Sequence, residues 1–462
     1  MWAIVALGLG YMTPTVIFDT FGIVSEETGH VVPTAYVLAL LAMMFTAISY
    51  GRMTRVFPSA GSAYTYTSET MHPNLGFVIG WSALLDYLLL PLVNALIIRS
   101  YLFSFFPNMP QWIFVVVYVG FITGMCLLSM SNTSKVNGLL VVFEVVLIVV
   151  FLFLAARALM DGAGNGTLFS TQPFWNENVH LGLVITGATI VCFSFIGFDA
   201  ITMYTEEAKH ANTVPKAIVV ALIIGGAIFF ISAWFTQSVF PTMEGFTEEA
   251  LKNSALPEIA FKVGGHLFKI LLTSAAFAAT VASSLASHSS VSRLLYVMGR
   301  NGKGQISRFF GKVHPTFHTP ANAVIFTGII SLGAIAFDLD FVASLINFGA
   351  LVAFTFVNLT VIVYFAYRKR LVRTMGHLFS NVVLPGIGVA FTLILWINLS
   401  PESFNYGLIW FGIGVVVLLV ITRFFKEPLT IGMEDEEIAE SIEVTAHEEE
   451  EDFLKKHPHD HE

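Results

Sequence analysis

Long apolar runs separated by short polar turns set the rhythm of this chain. Each run is about 20 residues long, the length a helix needs to cross a hydrocarbon core of ~30 Å. About twelve follow one another. The first runs from Trp2 to Val24, and the others begin near Pro33, Gly76, Trp112, Val136, Leu181, Lys216, Leu267, Ala321, Phe341, Phe379 and Tyr406. This pattern predicts an all-α polytopic membrane protein. Two runs carry their own interruption. In the first, "GLGYMTPTVIFDTFGIV" puts Pro14 between Thr13 and Thr15 and adds Asp19; in the sixth, "ITGATIVCFSFIGFDAITMYTEEAKH" puts Gly197 just before Asp199. Five runs separate the two, the spacing expected if runs one to five and six to ten are one repeat built twice with opposite topology. Paired broken helices in corresponding halves are the best sequence pointer to a transporter's central site.

The organisation that follows is a transporter domain over 1–425, with repeat one over about 1–160, repeat two over about 180–370 and two further helices over 379–425. Lys and Arg set the orientation. The loop after the eighth run carries Arg293, Arg300, Lys303, Arg308 and Lys312, that after the tenth Arg368, Lys369, Arg370 and Arg373, and that after the second Arg52 and Arg55. These even-numbered loops are expected in the cytoplasm, together with both termini. Met1 leads almost directly into the first run, without the basic segment of a secretory signal.

Composition agrees with the run pattern: 55% of residues are hydrophobic and 12% charged, too apolar for a soluble chain of this size. The net charge of −9 belongs to the end of the chain. From Glu427 to Glu462 fourteen acidic residues face Lys455 and Lys456, and the remainder is slightly basic. Residues 426–462 therefore read as an acidic, disordered cytoplasmic tail. Cys126 and Cys192 lie inside apolar runs, with no metal spacing or disulfide framework. No metal-ligand cluster, phosphate loop or nucleophile motif is present, so an enzyme, a cofactor and a nucleic-acid partner are not expected.

The candidate chemistry is polar residues inside the membrane. A carboxylate at the centre of a span costs roughly 2.5–3.5 kcal/mol on insertion scales, so each must face protein or a wet cavity. There are four: Asp19, Asp86, Glu144 and Asp199. Asp86 lies ten residues beyond Gly76, about 15 Å into the bilayer; it is a cation ligand or structural glue. Asp199 and Asp19 each follow a break, where unwound carbonyls accept from an ammonium group; each is a ligand or a half-helix cap. Glu144, in an apolar stretch, is a candidate coupling-proton site or an idle neutral carboxyl, because burial is cheaper with the proton on. Glu206 and Glu207 read as an inner gate, bonded to Arg52 or Arg55, or as solvated surface. Ser283, Ser284, Ser287 and His288 read as helix packing. Phe193, Phe195, Phe198, Tyr87 and Trp81 are candidates to wall a cation-friendly pocket.

Two long motifs carry a resemblance. "FSFIGFDAITMYTEEAKHANTVPKAI" and "FPSAGSAYTYTSETMHPNLGFVIGW" are similar to the signatures of the amino acid, polyamine and organocation permease superfamily, and the resemblance extends up to the tail. Within it, "YMTPTVIFDTFGIV", "AISYGRMTRVFPSAGSAYTY" and "ASHSSVSRLLYVMGR" look most like the bacterial putrescine importers. That resemblance implies twelve spans with a five-plus-five inverted repeat, and proton-driven uptake of a diamine at the inner membrane. Amino acid members usually have Gly-Ser-Gly in the first break, whose amides hold a carboxylate; here Pro14, Thr15 and Val16 stand there. Related amino acid permeases can hold a coupling-linked lysine at the position of Glu144. The expected protein is an alternating-access importer of putrescine or a similar small organic cation, coupled to protons rather than Na⁺. Its site is formed by Asp199, Asp86, Asp19, Tyr11, Thr13, Thr15, Tyr87, Phe195 and Gly197. The alternatives are an amino acid permease and a non-pumping amine channel or sensor.

Overall fold

The computed structural model describes residues 1–58, 62–128, 134–177, 179–204, 213–301, 309–314 and 319–425. Every regular element among them is helical. The first half holds α1 (Trp2–Met12), α2 (Val16–Thr28), α3 (Val32–Val56), α4 (Ser62–Thr70), α5 (Pro73–Phe105), α6 (Gln111–Leu128) and α7 (Ser134–Met160). The second holds α8 (Leu181–Phe195), α9 (Thr213–Val239), α10 (Glu248–Lys252), α11 (Leu256–Asn301) and α12 (Ala321–Ser331). It continues with α13 (Leu339–Val361), α14 (Met375–Leu378), α15 (Leu384–Ile397) and α16 (Pro401–Ile421).

Among the described residues ten helical segments are long and apolar enough to cross a bilayer, and the pair Ile4–Met12 and Val16–Thr28, bent by 42°, makes an eleventh. The ninth run forms a shorter apolar helix, Ala321–Ile335. Short helices α4 and α10 sit in connections between spans, where run length alone gives no signal. The backbone leaves the helical region at Gly265, so the eighth run starts beside the expected Leu267. The chain divides at Val416; of the part that follows, Val416–Phe425 is described, and the acidic tail lies outside the described residues.

The spans differ in how much protein surrounds them, and this locates the core. In α5, 72% of the most apolar window is buried, whereas in α16 the share is 17%, so α16 keeps an apolar surface for lipid. Within the core, α3 packs along α9, and α5 along α13 and α11. A bilayer offers no water to satisfy backbone or side-chain polar groups, so the polar residues of these helices pair internally. Asn358 of α13 accepts from Ser49 at 2.6 Å and donates to Thr46 at 3.0 Å and to the Phe354 carbonyl at 2.9 Å. These bonds clamp α13 to α3. Trp81 and Trp410 stack at 4.9 Å, and each indole donates to the other's carbonyl, at 3.0 and 2.9 Å.

The crossing of α5 and α13 depends on Gly349. A Cβ there would lie 2.4 Å from the Ser82 carbonyl oxygen, a backbone atom with no rotamer through which to yield. Gly349→Ala is expected to push the two helices apart at a cost of about 1–3 kcal/mol. Thermal unfolding of purified protein in detergent reads this as a lower Tm, and an unchanged Tm would count against the close crossing.

Candidate functional site

The two interrupted runs meet face to face. Pro14 lacks an amide hydrogen and drives its predecessor out of the helical region. Thr13 accordingly takes φ 42° and ψ 94°, and the helix restarts at Val16, whose amide donates to the Thr13 carbonyl at 2.9 Å. In the sixth run α8 stops at Phe195, Ile196 is extended with ψ 131°, and Gly197 takes φ +117° before a 3₁₀ segment over Asp199–Tyr204. That φ is open to glycine and strained for other residues. A Cβ on Gly197 would also lie 2.7 Å from the Tyr11 Cβ and 3.2 Å from the Met12 amide nitrogen. The absence of a side chain is what lets the breaks touch.

Between the breaks lies a cavity of about 20 Å³ lined by Tyr11 and Thr13 from one, Phe193 and Ile196 from the other, and Asn94 and Ser283 from α5 and α11. This holds about one water, so an organic solute enters only if the breaks move apart. None of the four carboxylates is on its lining. Each is buried in its own surroundings, as follows.

Asp19, one turn into α2, accepts from the Tyr101 hydroxyl at 2.9 and 3.1 Å and from Ser254 at 2.6 Å. These partners belong to α5 and to the connection before α11, not to the amides of α2 that a cap would hold. Glu144 of α7 accepts from Thr15 at 2.9 Å, inside the first break. Its second oxygen is buried without a partner among the described residues. Asp199 accepts from the Gly197 amide at 3.2 Å, and the amides of Asp199 itself and Ala200 lie against the same carboxylate. Asp86 is buried and receives no side-chain or backbone hydrogen bond from a described residue; its charge and that of Asp199 act on each other.

Tyr87 packs beside Leu84, Leu88 and Val291, within electrostatic reach of Asp86, Asp199 and Tyr11. Phe195 is wholly buried, its ring edge-on to Tyr36 at 6.1 Å and Phe229 at 5.4 Å; its neighbour Phe193 faces the cavity instead. The structure thus brings Tyr87 within electrostatic reach of Tyr11, Asp86 and Asp199, and bonds Asp19 to Tyr101 and Ser254. Glu206 and Glu207 lie outside the described residues. Arg52 donates to the Ser380 carbonyl and to Asn381, and sits over the Phe365 ring at 4.3 Å. Sequence reasoning missed Asn94, Tyr101 and Ser254. Asn94 had a legible signal, a position eight residues beyond Asp86 on one helix stripe, whereas Tyr101 and Ser254 are distinguished from other buried hydroxyls only by their contact with Asp19.

A multi-pass helical membrane protein whose two broken helices meet around buried polar groups has the architecture of a permease-type transporter. The sequence comparison places it further: the chain belongs to the amino acid permease family, which it matches over residues 1–425. It is 45% identical to the low-affinity putrescine importer PlaP of Escherichia coli (strain K12) over 427 residues, 92% of this chain and 94% of that one. It is 28% identical to the branched-chain amino acid permease BcaP of Bacillus subtilis (strain 168), over 90% of this chain and 91% of that one. The methylthioribose transporter of the same organism is 26% identical, again over 90% and 91%.

The contact between the breaks yields a direct expectation. Gly197→Ala adds a Cβ into Tyr11 and forces a non-glycine residue to φ +117°, a strain of about 1–3 kcal/mol placed at the contact between the breaks. Uptake into cells should fall at least tenfold while the amount of protein in the membrane fraction stays near wild type. Full uptake by the variant would show that the breaks do not need this approach.

Proposed function

We propose that this protein imports putrescine or a similar small organic cation across the inner membrane by alternating access, driven by a proton gradient. The observation that carries this reading is the 45% identity, over 92% of the chain, to the Escherichia coli putrescine importer. Pro14 adds support: it withholds an amide that would bind a substrate carboxylate at a helix end, and a diamine has no carboxylate. The organisation that goes with it is twelve spans, with repeats over about 1–160 and 180–370 inverted relative to each other, and both termini in the cytoplasm as the Lys and Arg distribution favours.

In this reading Asp199, the carbonyls freed around Gly197, and Asp86 take one ammonium group between them, beside Tyr11, Thr13 and Tyr87. Asp86 suits that role because it is buried and receives no hydrogen bond from a described residue. Asp19 joins when the outer closure formed with Tyr101 and Ser254 loosens. Glu144 carries the coupling proton: its hydrogen bond from Thr15 connects its charge state to the first break. Glu206 and Glu207 gate the inner side.

Purified protein in liposomes decides the matter. With an imposed pH gradient, alkaline inside, labelled putrescine should accumulate above its external concentration, and a sodium gradient should not substitute. Accumulation of leucine in place of putrescine would make this an amino acid permease, and equilibration without accumulation would make it a channel. Asp199→Asn is expected to lower putrescine uptake at least tenfold with normal insertion; unchanged kinetics would remove Asp199 from the site. Glu144→Gln should keep exchange of internal for external putrescine yet lose pH-driven accumulation, and accumulation at the wild-type level would take the proton elsewhere.

A further inference from the structure

Two of the four polar side chains on the cavity wall come from outside the breaks: Asn94 of α5 and Ser283 of α11. Both are about nineteen-twentieths buried, at 4% and 5% exposure. The Asn94 side-chain amide donates to the Ser283 hydroxyl oxygen at 3.3 Å. That bond fixes the direction of the amide and leaves Asn94 Oδ1, an acceptor with two lone pairs, without a donor among the described residues. A buried acceptor on the wall of a cavity calls for a ligand that donates.

The position of Asn94 on its helix indicates what kind of ligand. Asp86, Leu90 and Asn94 follow at intervals of four residues, so they share one stripe of α5. Leu90 is itself on the cavity wall. The stripe therefore reads carboxylate, aliphatic side chain, amide oxygen. Eight residues of helix separate its ends by about 12 Å. Two hydrogen bonds of about 2.9 Å each leave roughly 6 Å between the donors, which matches an extended four-carbon chain with an amine at each end.

We propose that Asn94, oriented by Ser283, binds the second amine of the substrate and sets the length and difunctionality that the site accepts, while Asp86 and Asp199 hold the first and Leu90 flanks the methylenes. This deepens the functional reading above and rests on it. It assigns recognition of the far amine to a neutral amide, so that one end of the site discriminates by hydrogen bonding instead of by charge. The binding motion needs the breaks to part enough for the chain to lie along the stripe.

The test uses the full-length protein in liposomes, with labelled putrescine as transported probe and butylamine and cadaverine as competitors. Wild type is expected to prefer putrescine to butylamine at least tenfold, since the monoamine has no second donor. Asn94→Ala should raise the KM for putrescine about tenfold, leave the maximal rate per inserted molecule near wild type, and erase the preference over butylamine. Ser283→Ala, which frees the amide to rotate, should move the same way by about threefold. If Asn94→Ala fails to insert, Asn94→Ser carries the same comparison. An Asn94 variant that weakens all three amines equally, or that keeps the wild-type preference, overturns the assignment. Wild type that takes up no amine at all overturns the cation reading, and this inference falls with it before any variant is compared.

Discussion

The close approach of Gly197 to Tyr11 and Met12 is the constraint on which the rest of the centre depends. Two helices that stop within a bilayer expose amides and carbonyls that neither lipid nor bulk water can satisfy. Their ends must be buried against each other and against polar side chains. Gly197, with φ +117° and no Cβ, brings the two ends into contact. The surrounding chemistry follows from the groups the interruptions release. Asp199 takes up amides of its own break, and Thr15 gives its hydroxyl to Glu144. The wall residues then leave a space no larger than a water.

Three of the buried carboxylates sit in different hydrogen-bonding surroundings. Glu144 connects the first break to α7, Asp19 connects α2 to α5 and to the start of α11, and Asp199 keeps its bonds within the sixth run. A hydrogen bond to a buried carboxylate cannot be exchanged for water without opening the protein, so a change at any of these three residues has a geometric consequence. The helices around them are held by satisfied polar clamps, such as Asn358 between α13 and α3. Glu144 differs from those clamps in having one oxygen without a partner among the described residues. Scaffold and centre thus use the same interaction for different ends.

Much of the fold was legible before any coordinates, because crossing a bilayer demands about 20 apolar residues in a row and the chain states that requirement openly. Pro14 and Gly197 announced both interruptions, since a residue without an amide hydrogen and one without a Cβ have few other reasons to sit at those points. The ninth run was less faithful: its apolar length is sufficient, yet its regular helix is short and tightens at its end. α4 and α10 gave no periodic signal, being only a few turns long. The pocket was legible in part. Tyr11 and Thr13 were identified by nearness to Pro14, whereas of the two phenylalanines named in α8 Phe193 lines the cavity and Phe195 packs against Tyr36 and Phe229.

What the sequence by itself determined is the class of the protein, the places where its helices break and the set of costly carboxylates it buries. These are local properties, fixed by apolar length, by proline and glycine chemistry and by the expense of charge in hydrocarbon. Only the tertiary structure decided which group answers each carboxylate. Glu144 looked solitary in its run and turned out to hold Thr15, 129 residues away; Asp19 read as a ligand or a cap, and is held by Tyr101 and Ser254, 82 and 235 residues away. Hydrogen-bond partners in a membrane protein are chosen by how helices cross, and a crossing is set by side-chain shapes on two distant segments at once, which no stretch of one segment contains.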